Sequence, residues 1–179
     1  MISEISTTPK PSNNKAKRLF LTFLLIAAAL AAAYIASPSF KGIIGSLCLV
    51  AVVGAIYVYN RYMAAIYYYD VMIDSGGTPL FIIRQVIGKR ETTLCRVELS
   101  SIVSVERVTR EEMKKHTTPE GYVKYYYAPT LSPDTACRLT VKSRYERAEI
   151  TVEGSDEYIA MLKAYAAEAR KSAYFDDGE

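Results

Sequence analysis

The sequence predicts an α+β protein: a hairpin of two membrane-spanning helices, then seven short strands forming a β-barrel or sandwich capped by a C-terminal α-helix. Three observations carry this. Leu19 to Ala36 and Gly42 to Tyr59 are each 18 residues without a charge. Beyond Arg61 the apolar residues recur in short or alternating runs bounded by turn residues, as strands require. From about Asp156 to Tyr174 the apolar residues fall on one helical stripe.

The two uncharged runs come first because their length is decisive. At 1.5 Å per residue each covers roughly 27 Å, close to the hydrocarbon thickness, and in lipid a helix satisfies all its own backbone groups. As buried helices of a soluble protein they would need a core larger than the remaining chain supplies. Ser37 to Lys41, SPSFK, is short enough to turn the chain back. Lys10, Lys15, Lys17 and Arg18 precede the first run and Arg61 follows the second, against Lys41 alone in the turn. That bias puts both termini in the cytoplasm of a two-helix cell-membrane protein. A cleaved signal peptide competes for the first run, but the second would then act as a stop-transfer segment and leave the domain on the same side.

The expected organisation is a basic, disordered cytoplasmic tail over 1–18, helices over 19–36 and 42–60, an extracytoplasmic turn over 37–41, a cytoplasmic domain over 64–174 and an acidic tail over 175–179. The bilayer is the expected partner of residues 19–60. Small residues four apart, such as Ala28 and Ala32 or Ala51 and Ala55, suit close packing within the hairpin or a seam between copies. Neither run holds an Asp, Glu, Lys, Arg or His, so no ion or proton path is expected through them.

The chain carries 22 Lys and Arg against 19 Asp and Glu, and the excess lies in the tail and Lys41. A near-neutral domain lacks the basic field that holds nucleic acid, so none is expected as a partner. Cys48, Cys95 and Cys137 show no C-x-x-C spacing and are expected as reduced thiols, with pairing of two of them left open. No metal or other cofactor is expected. His116 is the sole histidine and reads as a polar surface residue, because nothing adjacent implies the partner a general base needs.

The expected strands are Tyr67 to Ile73, Leu80 to Ile87, Thr92 to Glu98, Ile102 to Val108, Tyr122 to Ala128, Cys137 to Ser143 and Ala148 to Val152. Ser75-Gly76-Gly77 and Gly88-Lys89 mark hairpin turns. The first lacks the GK[ST] ending of a phosphate loop. Thr109-Arg110-Glu111-Glu112 has the T-x-x-E form of a capping box and predicts a short helix. In the last helix Tyr158, Met161, Leu162, Tyr165, Ala166 and Ala169 form the stripe expected to cover the sheets.

The stretch GGTPLFIIRQVIGKRETTLCRVELSSIVSVERV, with its Gly88-Lys89 turn and the run Val97-Glu98-Leu99-Ser100-Ser101-Ile102, resembles bacterial pleckstrin-homology (PH)-like domains. Seven strands and a final helix are the order of that fold, and a transmembrane hairpin often precedes it. The resemblance implies a non-enzymatic binding or scaffolding module and fixes no ligand. Phosphoinositide-binding PH domains place basic residues around the first hairpin, whereas here the turn reads DSGGTP. The candidate contact surface is Lys89 and Arg90 at the second turn with Tyr125, Tyr126 and Tyr127. The expected role is recognition of a protein partner or a second copy at the membrane. The alternatives are a lipid-surface sensor and an accessory subunit of a larger membrane complex.

Overall fold

The structure is a computed structural model and describes residues 4–10, 13–143 and 146–176. The chain divides into two compact units, Pro11–Ala65 and the combination of Met1–Lys10 with Ile66–Glu179.

The first unit is a helical pair. Helix α1 spans Asn14–Ala36, a 3₁₀ turn at Pro38–Phe40 reverses the chain, and α2 spans Lys41–Val58 before a π-helical turn at Tyr59–Ala64. Both Asn14–Ala36 and Lys41–Ala64 are long and apolar enough to cross a membrane, and only 6% and 17% of their most apolar windows are buried. The core helix of a soluble protein would show the reverse. The seam between the helices is built from small residues: Ala27, Ala51 and Ala55 are buried, and the Cys48 thiol donates to the Ala27 carbonyl at 3.6 Å. A β-carbon at Gly54 would meet the Phe23 ring at 2.8 Å, so this glycine lets the helices approach. The Ala51 and Ala55 pair thus serves packing within the hairpin, while Ala28 and Ala32 stay exposed. Thr22 and Ser46 donate back to the carbonyls of Arg18 and Gly42, which satisfies their hydroxyls inside their own helices.

Among the described residues the second unit holds eight strands in two four-stranded sheets, not seven strands in a barrel. Strand β1, Ile5–Thr7, lies where the sequence reads as a disordered tail. It pairs antiparallel with β2, Ala65–Ile73, from Ile5 opposite Val71 to Thr7 opposite Tyr69. The alternation of Ile5 and Thr7 around Ser6 is too short to register as a strand until β2 offers it an edge. Lys15 to Arg18 of the same expected tail are the first turns of α1. At the other end α4 runs to Asp176, and residues 177–179 of the expected acidic tail lie outside the described residues.

β3 (Pro79–Ile87) and β4 (Arg90–Glu98) complete the first sheet in the order β1-β2-β3-β4. Gly77 and Gly88 take positive φ values of 80° and 61° in the two hairpin turns, a conformation other residues adopt at a cost. The second sheet has the order β5-β7-β8-β6, formed by Ile102–Thr109, Thr135–Lys142, Arg147–Val152 and Val123–Tyr126. β6 runs parallel to β8 at the sheet edge. A parallel neighbour needs a long connection, which the chain from β6 out through β7 and back to β8 supplies. Among the described residues β4 ends the first sheet and no strand of the second sheet pairs with it, so no barrel closes.

The core follows the two-residue alternation. Tyr67, Tyr69 and Val71 of β2, Phe81 and Ile83 of β3 and Leu139 and Ile150 of the second sheet are almost wholly buried. Helix α3 (Arg110–Lys115) carries the expected capping box between Thr109 and Glu112. In α4, Asp156–Asp176, the residues Tyr158, Leu162, Ala166 and Ala169 are buried, and the helix packs on the 3₁₀ turn Leu99–Ser101 and on β5. Its apolar stripe therefore covers the corner where the chain passes from one sheet to the other.

Candidate functional site

The pairing of β3 with β4 is regular except at one place. Ile83 opposes Cys95 and Arg84 opposes Thr93, so Leu94 is an extra residue in β4. Such a bulge bends and twists its strand. Beyond it lies a half-open groove of about 690 Å³.

The lining residues show how the groove is made. On β4 it takes five in succession, Leu94 to Glu98, and since neighbouring side chains of a strand point to opposite faces, the groove must run along the strand's edge. From the second sheet it takes alternate residues, Tyr125 and Tyr127, Val141 and Ser143, Ala148 and Ile150, which is one face. One wall is therefore the unpaired edge of β4 and the floor is a face of β7, β8 and the chain at β6.

Two rings and a carboxylate dominate the polar half. Tyr125 and Tyr127 stack with centroids 5.9 Å apart and planes 4° from parallel. The Tyr125 hydroxyl donates to Glu146 at 2.7 Å, and the Tyr127 hydroxyl donates to the carbonyl of bulged Leu94 at 3.3 Å. The Glu146 hydrogen bond first, then desolvation and the Glu146 charge, raise the Tyr125 pKa. Glu146 is placed by the turn that joins β7 to β8, where Ser143 and Glu146 exchange backbone and side-chain hydrogen bonds. Tyr126, by alternation, turns away from the pair and donates to the Thr130 carbonyl.

The expected contact surface thus divides. Tyr125 and Tyr127 share the groove. Lys89 and Arg90 are exposed at the β3–β4 turn, and Arg90 lies four residues before Leu94, about 13 Å along the strand, so they do not join it. Sequence reasoning missed Leu94 to Glu98 and Glu146 as site residues. Their sequence carries a strand signal but nothing that says which strand will lie at an edge.

Three further polar features correct or complete the reading. His116 is not a lone surface residue: its Nε2 lies 2.9 Å from both oxygens of Glu149, which is buried in β8. The pair ties the end of α3 to the second sheet. Asp70 is buried and paired with Arg84, whose guanidinium also meets Glu91 and lies over the Tyr68 ring. Cys48, Cys95 and Cys137 are free.

Burial pushes the Cys95 thiol up to about 11, with Glu146 adding to it, and the Cys137 thiol up to about 12, with Glu106 adding to it. At pH 8 about a thousandth of Cys95 is thiolate, and the thiolate is the form that reacts. Both thiols are expected to resist iodoacetamide in the folded chain at pH 8 and to alkylate on unfolding, read by peptide mass spectrometry. Alkylation of Cys95 at the rate of a free thiol would contradict its place in the groove wall.

No protein-family model matches the chain, and comparisons with curated proteins and with solved structures find no match.

Proposed function

We propose that the protein is a membrane-anchored, non-enzymatic binding module whose soluble domain recognises a protein partner at the cytoplasmic face. The observation that carries this is the groove: a sheet edge without a strand partner among the described residues, set beside a stacked tyrosine pair, is a surface built for contact. The membrane assignment draws on α1 and α2, and on β1. This strand precedes both helices and pairs with β2, which follows them, so a chain crossing a bilayer at each helix returns to the side it left. The basic flanks then favour the cytoplasm for that side.

The PH-like reading is supported by the run β2-β3-β4, a second sheet begun after the Leu99–Ser101 turn, and a last helix packed at that turn. The parallel β6 and the added β1 depart from it.

The test is site-specific photocrosslinking of the full-length protein in intact membranes, with the photoreactive residue at Thr93 beside the groove, at Lys89, or at Lys163 on α4. A protein neighbour captured above background at one of these positions is the expected result. Capture of lipid alone, above all at the exposed Lys89, would turn the reading toward a lipid-surface sensor. No protein capture at any position would remove its support.

A further inference from the structure

Resting on the reading of the domain as a protein-binding module, we propose that the groove receives an extended polypeptide segment that adds to β4 as a fifth strand and presents a lysine or arginine side chain to Tyr125 and Glu146.

The backbone half of the recognition comes from the edge. The first sheet already accepts a short stretch of extended chain at its opposite end, where three residues of β1 pair with β2. At β4 the same pairing capacity faces a groove that follows the strand for five residues, about 17 Å of extended chain. A guest strand there has β4 beside it and Val141, Ala148 and Ile150 beneath it, so its alternate side chains face an apolar floor. The edge is addressed on one side only: the Tyr127 hydroxyl holds the Leu94 carbonyl, which fixes the bulged end and leaves the direction of entry toward Glu98.

The side-chain half comes from charge. Two carboxylates line the groove, Glu98 and Glu146, and its one lining cation, Arg96, is engaged by Asp74 at 3.2 Å. Lys142 and Arg147 oppose each other in the register of β7 and β8, one position out of step with Val141 and Ala148, so they project from the other face. Among the described residues the groove is thus acidic, and the stacked rings add the negative potential of their faces. A cation beside such rings and carboxylates is attracted by both. An anionic headgroup or an acidic peptide would meet repulsion at the same place.

The experiment uses the full-length protein in nanodiscs of uncharged phosphatidylcholine. The probe is a fluorescein-labelled, end-blocked heptapeptide of alternating valine and threonine with a central lysine. Two comparators replace that lysine with norleucine or methylate alternate backbone nitrogens. The lysine peptide is expected to raise anisotropy saturably and to slow hydrogen exchange at the amides of residues 94–98. Norleucine, or Glu146→Gln in the protein, is expected to weaken binding about fivefold. Backbone methylation is expected to abolish it.

Equal binding of the norleucine peptide would overturn the cation site, and equal binding of the methylated peptide or unchanged exchange over 94–98 would overturn strand addition. Absence of binding by the lysine peptide would overturn both. Slowed exchange over 94–98 on adding phosphatidylglycerol to the nanodiscs, without peptide, would assign the groove to lipid. Photocrosslinking separates the two levels: protein capture at Lys163 but not at Thr93 leaves the binding module standing and removes this groove as its address.

Discussion

Replacing Tyr69 with phenylalanine is expected to destabilise the domain by about 1–3 kcal/mol, the cost of leaving buried polar groups unpaired. Replacing it with alanine is expected to cost about 3–5 kcal/mol, the range for deleting a large buried ring. Tyr69 is fully buried, and its hydroxyl works in both directions. It donates to the Tyr127 carbonyl at 3.0 Å and accepts from the Glu153 amide at 3.3 Å. The ring lies 6.5 Å from Phe81 and 6.4 Å from Tyr158, and the Tyr158 hydroxyl donates to the Tyr69 carbonyl. One side chain therefore joins the first sheet, the chain just past β6 and β8, and α4. The chain has no tryptophan, so the measurement is pulse proteolysis of the full-length protein after equilibration in urea. A Tyr69→Phe variant as stable as the parent would show that the hydroxyl does not bridge these elements. Because Tyr127 reaches the groove through the same residue, the phenylalanine variant is also expected to loosen its stacking on Tyr125.

Arg84→Met is the second large effect, expected at about 3–5 kcal/mol, because it strands a buried carboxylate without its cation. Asp70 is 2% exposed, whereas Glu91, the other carboxylate on Arg84, is half exposed and can turn to water. Burying two ions is costly in itself, so replacing both partners is expected to be far milder than replacing one. The discriminating measurement is a double-mutant cycle of Arg84→Met with Asp70→Leu, read by the same proteolysis. Additive losses would mean that the two side chains act independently and would remove the ion pair as the reason for burying Asp70.

Local pattern made much of this fold legible. Tyr67, Tyr69 and Val71, like Cys137, Leu139 and Val141, are buried where two-residue alternation places them, and Thr109 with Glu112 forms the capping box its spacing announces. These depend on residues close in sequence. What stayed hidden depends on which strand meets which. Ile5–Thr7 becomes a strand only because β2, some sixty residues later, presents an edge. Asp70 reads as the wet side of an alternating strand until Arg84 from β3 covers it. His116 acquires Glu149 through the path of the chain from α3 to β8. The groove followed the same rule: three tyrosines were visible as a run, but the open edge that two of them stand beside is a property of sheet order. The single extra residue at Leu94 leaves no mark in the hydrophobic pattern.

The position of β1 also orders events during synthesis. Chains emerge from the ribosome N-terminus first, and domains fold as their parts become available. Ile5–Thr7 is made before both long helices, yet its partner in β2 follows them. In a chain that inserts these helices into a bilayer, the earliest strand must wait unpaired until the second helix has returned, and a chain that crossed only once would leave it stranded on the wrong side. In such a chain, closure of that three-residue ladder is the step at which membrane integration and domain folding become one event.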